Sequence, residues 1–138
     1  MRSHCSDPTG DATGAVVQRT WGWFETLAEG EGYKVKRLRI EPGQRLSRQR
    51  HHHRLEQWLV LAGSGWVELG LPGTLPGGTP GEAEESQPLQ PGSSVEIAPL
   101  TMHRARAGAE GLEILEVQRG RVLEEDDIER FADDYGRV

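Results

Sequence analysis

Apolar and polar residues alternate in short runs along this chain, with glycine and proline at the joints. The stretch YKVKRLRI (33–40) shows the pattern well. Val35, Arg37 and Arg39 fall on one side of an extended chain and Lys36, Leu38 and Ile40 on the other, before Pro42-Gly43 ends the run. LSRQRHHH (46–53) continues as extended chain. EQWLVLAGSGWVEL (56–69) reads as a strand, a Gly-Ser-Gly turn and the start of a second strand, which predicts a hairpin. Residues of about 70–92 are too dense in glycine and proline for a helix and predict a long loop or a hairpin insertion. SSVEIAP (93–99) and LEILEVQRG (112–120) predict further strands. EEDDIERFADDYG (124–136) is the one helix-like stretch, with acids at its start that suit a helix dipole and a charge run that reads as a solvated face.

Many short strands, tight turns and almost no helix predict an all-β sandwich or barrel with a short C-terminal helix. Residues 1–15 are polar and predict a flexible tail, leaving 16–138 as a single domain without internal repeats. The 138 residues suit one compact domain, which buries enough surface to need no disulfide staples. The one cysteine, Cys5, excludes an internal disulfide framework and fits a reducing compartment. The chain shows no apolar run of membrane-spanning length and no apolar core of a secretory signal, so it reads as soluble and cytoplasmic, with no membrane partner. Trp21, Trp23, Trp58 and Trp66 read as core or rim packing.

Charge changes this picture more by its distribution than by its sum. The net charge of −6 argues against general nucleic-acid binding. Eight of the sixteen lysines and arginines lie between Lys34 and Arg54, where Glu41 is the only acid, and seven acids lie between Glu124 and Asp134. Three of the five histidines, His51, His52 and His53, sit inside the basic segment, so a site there would attract anions.

On an extended strand Gln49, His51 and His53 share one face, and Arg50 and His52 the other. Glu56 follows after a short bend, so Gln49, His51 and Glu56 can converge on one point inside a barrel. His103, past a proline-containing turn, is the remaining histidine outside the tail and the candidate fourth ligand. Two imidazoles, a carboxylate and an amide suit a borderline divalent ion and leave coordination positions open. The bland alternative is a half-exposed polar strand and a surface histidine.

These residues also carry a resemblance. Glu56 through Gly63 resembles the end of the first motif of the cupins, barrels of the double-stranded β-helix type, and Gly92 through His103 resembles the second. The Gln49-x-His51 pair in place of His-x-His resembles mannose-6-phosphate isomerases. The match narrows to type II, whose isomerase module is the C-terminal part of bifunctional enzymes that also carry mannose-1-phosphate guanylyltransferase. RTWGWFETL (19–27) resembles that module's opening signature, with Thr20 in place of proline. Residues 33–65 resemble its central signature and 113–137 its closing one. Gln57 stands where a histidine is common, and Ala98-Pro99-Leu100 where the family tends to have Pro-x-Gly. The Gly-rich nucleotide-binding domain is absent from this sequence, so guanylyltransferase activity is not expected.

The resemblance implies interconversion of mannose 6-phosphate and fructose 6-phosphate through a cis-enediol, with one divalent metal, Zn²⁺ first and Mn²⁺, Co²⁺, Fe²⁺ or Ni²⁺ as alternatives. It implies Gln49, His51, Glu56 and His103 as metal ligands. Lys36, Arg50 and Arg104 are candidates for the phosphate, with Arg54 a weaker one, and strand parity counts against Arg50. The base is left between His53 and Glu116, with Lys36 also a candidate for the chemistry. A non-catalytic sugar-phosphate-binding cupin is the alternative, an iron-dependent dioxygenase ranks last, and a homodimer is expected by analogy alone.

Overall fold

The computed structural model describes residues 13–70 and 84–136. Nine strands occur among them: β1 (Val16–Arg19), β2 (Gly22–Gly30), β3 (Tyr33–Ile40), β4 (Arg48–Arg50), β5 (Leu55–Gly70), β6 (Glu84–Leu89), β7 (Ser94–Ile97), β8 (His103–Arg119) and β9 (Glu129–Ala132). Every pairing between them is antiparallel. The two long strands organise the rest. The second half of β8 lies between β3 and β5, and its first residue, His103, pairs with Gln49 of β4. β5 in turn holds β6 and β7, so the sheet curls around a common interior. No described helix is long and apolar enough to cross a membrane.

The period-2 pattern of β3 survives intact. Lys34, Lys36, Leu38 and Ile40 are buried, while the residues between them are half-buried. Ile40, Val60, Val67, Ile97, Leu112 and Ile114 form the centre of the apolar core. Lys36 therefore shares a face with core residues, which puts an ammonium inside the barrel.

Two expectations fail here. The predicted Gly63-Ser64-Gly65 hairpin is one continuous strand, β5, with a register shift at that point. A side chain at Gly63 would meet the Gly111 carbonyl oxygen at 2.1 Å, and one at Gly65 would meet the Arg106 oxygen at 2.1 Å. Gly63 also holds φ at 80°. These glycines admit the backbone of β8 at a kink instead of reversing the chain. The predicted C-terminal helix is likewise absent. Residues 129–132 form β9 on β4, because local propensity yields to ion pairs with the basic strands.

Thr13 and Gly14, within the expected tail, are held by the sheet. Thr13 bridges to Thr26, and the Gly14 N–H donates to the Thr26 oxygen at 2.8 Å. Residues 1–12, with Cys5, lie outside the described residues, as does the 71–83 part of the Gly/Pro-rich loop. The rest of that loop is not all irregular, since Glu84–Leu89 is strand β6.

Candidate metal and substrate site

β4 ends at Arg50, His51 follows, and the chain bends at His52–His53 before β5 opens at Leu55. The bend breaks strand parity. His51 is buried, His52 and His53 are exposed, and Arg54 turns inward again. Glu56, the first inward residue of β5, is 1% exposed. His103 opens β8 directly beside Gln49, and the turn before it is pinned by the Leu100 N–H donating to the His51 oxygen at 2.7 Å. Leu100 holds φ at 67°, a conformation that favours glycine. The family's Pro-x-Gly pattern, replaced here by Pro99-Leu100, falls at that position.

His51, Glu56 and His103 bring ligand atoms within 4.8 Å of one another, and all three are buried. The ring nitrogens are set by backbone carbonyls, which only accept. His51 Nδ1 faces the Asp127 oxygen at 2.6 Å, and His103 Nδ1 faces the Thr101 oxygen at 2.9 Å. Each Nδ1 therefore carries a proton, and each ring turns its Nε2 to the shared centre. His103 Nε2 is buried with no hydrogen-bond partner and lies 3.7 Å from Glu56 Oε1. His51 Nε2 lies 3.0 Å from Glu56 Oε2. A buried lone pair without a donor, beside a carboxylate and a second imidazole, fits a divalent cation.

Burial opposes the charge of Glu56. The contact with His51 and the field of the Arg54 guanidinium outweigh it and hold the carboxyl well below the usual range. Trp58 Nε1 donates to Glu56 Oε1 at 3.0 Å, and Arg54 Nε donates to Oε2 at 2.9 Å. Burial pulls the His103 pKa down to about 4, so the ring is neutral at physiological pH, as a ligand must be.

Gln49, His51 and Glu56 line a cavity of about 170 Å³, together with Lys36, Arg54 and Glu116. Lys36 and Glu116 are direct partners across β3 and β8. Lys36 Nζ donates to Glu125 Oε1 at 2.7 Å and lies 4.2 Å from the Phe24 ring centre. Burial and the nearby Glu56 charge push the Glu116 carboxyl up to about 7, against the pull of Arg54 and Lys36. Gln118 Nε2 donates to Glu116 Oε2 at 2.8 Å, while Gln118 Oε1 is buried without a partner.

Three sequence candidates lie away from both the ligand cluster and this cavity. His53 is exposed, and its backbone N–H donates to Asp127 Oδ2 at 3.0 Å. Arg50 points to the other face, as strand parity required, and pairs with Glu129 at 2.8 Å. Arg104 follows the inward His103 and is buried on the opposite face of β8, where its Nε donates to the Leu46 oxygen at 2.8 Å. The cavity instead recruits Arg19, Gln118, Glu125 and Arg130. Arg19 opens a family signature, but its reach into the cavity depends on how β1 docks. Glu125 and Arg130 arrive on the acidic segment, which no periodicity marked.

Comparisons with known proteins agree with this geometry. The profile described as Mannose-6-phosphate isomerase C-terminal matches residues 9–133. Mannose-1-phosphate guanylyltransferase ManC of Salmonella typhimurium is 40% identical over 123 residues, which is 88% of this chain and 23% of ManC. The xanthan biosynthesis protein XanB of Xanthomonas campestris is 39% identical over 123 residues, covering 88% of this chain and 24% of XanB. The chain thus spans about a quarter of the length of these relatives. Among solved structures, a variant of oxalate decarboxylase from Bacillus subtilis superposes with a TM-score of 0.69 at 16% identity, over 89% of this chain and 32% of that one. CapF bound to 3-isopropenyl-tropolone gives 0.69 at 14% identity, over 85% and 34%. At such identities the structural likeness speaks for the cupin barrel alone. The profile match is of another kind, because it runs from before β1 to the end of β9 and takes in every residue that builds the site. By that match the chain belongs to the family of mannose-6-phosphate isomerase C-terminal domains.

Proposed function

We propose that this domain is a metal-dependent aldose–ketose isomerase that interconverts mannose 6-phosphate and fructose 6-phosphate through a cis-enediol. The observation that carries the reading is the buried, partnerless His103 Nε2 aimed at the same centre as His51 and Glu56. His51, Glu56 and His103 would hold the ion, with the Gln49 amide as fourth ligand. Zn²⁺ is the ion proposed, and Mn²⁺, Co²⁺, Fe²⁺ and Ni²⁺ suit the same donors. When bound, the metal supplies a Lewis acid that polarises the sugar carbonyl.

The chain's own residues do the rest. Glu116, with a pKa of about 7, is poised to exchange a proton at neutral pH. As carboxylate it takes the proton from C2 of the aldose, the O2 hydroxyl proton passes to O1 within the enediol, and as acid it returns the carbon proton to C1, giving the ketose. Lys36, its cross-strand partner, contacts the sugar oxygens. Gln118 Oε1 accepts from a substrate hydroxyl. The phosphate lies at the mouth against Arg19 and Arg130, in place of Arg50 and Arg104, which the fold turns away. His53 takes no part. We place the reaction in the cytoplasm.

A coupled assay tests the proposal: mannose 6-phosphate is supplied with and without Zn²⁺, Mn²⁺ or Co²⁺, and fructose 6-phosphate is read enzymatically. Metal-dependent turnover supports it. No turnover with any metal, together with retained sugar-phosphate binding, would leave a non-catalytic binding domain instead.

A further inference from the structure

Arg54 stands where the metal reading needs a lone pair. Its Nη2 donates to His51 Nε2 at 3.1 Å, and its Nε donates to Glu56 Oε2 at 2.9 Å. The Asp127 carbonyl takes the Nδ1 proton and the guanidinium can only donate, so Nε2 offers it one lone pair. One lone pair cannot both accept from a guanidinium and coordinate a metal ion. The two cations also compete for the Glu56 carboxylate. Arg54 precedes β5 and belongs to no strand, so its side chain can swing without breaking a ladder bond. The guanidinium already lines the cavity, where its remaining N–H groups can meet an anion.

We infer that Arg54 is a cation latch: metal displaces it from His51 and Glu56, and the released guanidinium turns into the cavity to join Arg19 and Arg130 on the anionic group of the substrate. The inference rests on the metal reading above and deepens it. Metal and anion then favour each other through one side chain, and the coupling is reciprocal. Without metal the guanidinium stays on its two acceptors and the anion binds weakly. With metal it is free to pair with phosphate. Phosphate in turn tightens the metal, because it stabilises the swung-out arginine.

The test is a Mn²⁺ titration followed by the electron-spin-resonance signal of the free ion, with and without inorganic phosphate. It uses the full chain, Arg54→Met, Arg54→Lys and His103→Ala. Phosphate is expected to lower the wild-type Mn²⁺ Kd about fivefold, the lower end of couplings between sites, and to leave that of Arg54→Met unchanged. In the absence of phosphate Arg54→Met is expected to bind Mn²⁺ more tightly than wild type by a similar factor. A residue that merely supported the site would do the opposite, weakening metal binding on replacement with the phosphate effect intact, and that result overturns the latch. Arg54→Lys cannot span both acceptors and shifts the same way by less. If Arg54→Met does not fold, an unchanged Mn²⁺ Kd in Arg54→Lys overturns the latch by itself. Wild-type binding that His103→Ala leaves untouched removes the metal reading instead, and the latch with it. His103-dependent binding with no phosphate effect removes the latch alone.

Discussion

A carboxyl group buried beside a second carboxylate resists ionisation, and Glu116 is such a group. Its folded pKa of about 7 lies above the ordinary 4.5 because burial, and then the charge of Glu56, penalise the anion. The folded state therefore holds a proton that the unfolded chain releases. The stability this confers is complete below the ordinary value and is lost as pH rises through about 7. Glu116→Gln removes the penalty and keeps an acceptor for Gln118. The variant is expected to gain on wild type by up to roughly 3 kcal/mol between pH 4 and pH 8, at about 1.4 kcal/mol per pKa unit. Its isomerase activity is expected to fall by roughly 10²–10⁴-fold, as for loss of a general base. Urea unfolding at the two pH values and the coupled assay read both. A variant equally stable relative to wild type at both pH values would show that Glu116 is not buried as an acid. At this scale the His51–Glu56–His103 cluster was legible because three consecutive histidines precede a carboxylate and a single distant histidine follows a turn. Lys36 was legible because β3 never breaks its alternation. His53 and Arg54 were exchanged because the bend at His52–His53, which parity cannot see, turns His53 out and Arg54 in.

The segment after β8 shows why elements are harder to read than residues. Acids at 124–127 suit a helix start, yet the chain there spends its groups on other strands. The Asp127 carbonyl takes His51 Nδ1, while its carboxylate accepts the His52 and His53 N–H groups at 2.9 and 3.0 Å. Burial opposes the Asp127 charge, but those two N–H donors together outweigh it and lower its pKa. Its contribution is therefore present above the usual aspartate value and is lost as pH falls through the lower folded one. Asp127→Ala removes the side-chain acceptors and loosens the carbonyl that orients His51. The cost is expected to be about 1 kcal/mol in unfolding, since the donors lie near solvent. Metal affinity is expected to fall about tenfold, the lower end for a partner of a ligating histidine. Metal titration with denaturant melts checks both, and unchanged metal affinity would mean that the His51 ring needs no such support. The lost hairpin has a similar cause. Gly63-Ser64-Gly65 has turn composition, but the same glycines serve the close passage of β5 and β8, a long-range fact that local composition does not encode.

Across the molecule, the split between a basic first half and an acidic end turns out to be one structure. Lys36 meets Glu125 at 2.7 Å, Arg50 meets Glu129 at 2.8 Å and Arg45 meets Asp134 at 2.7 Å, so the acidic end straps the basic strands and closes one wall of the cavity. The exposed Arg45–Asp134 pair adds little stability, whereas the buried Lys36 would be costly without its acid. The all-β class was readable from alternation and turn residues, but the strap was not, because its two halves lie 74 or more residues apart in sequence. Strap and ligands meet at His51, so metal binding should stabilise the domain as a whole. A ligand that binds only the folded state adds about 2.7 kcal/mol at a hundredfold excess over its Kd, on the order of 10 °C for a domain of this size. Calorimetric melting after chelation and after reloading with Zn²⁺ is expected to show that rise in wild type and none in His103→Ala, whose centre lacks a ligand. A rise that persisted in His103→Ala would place the stabilising ion elsewhere on the chain and detach it from the His51–Glu56 centre.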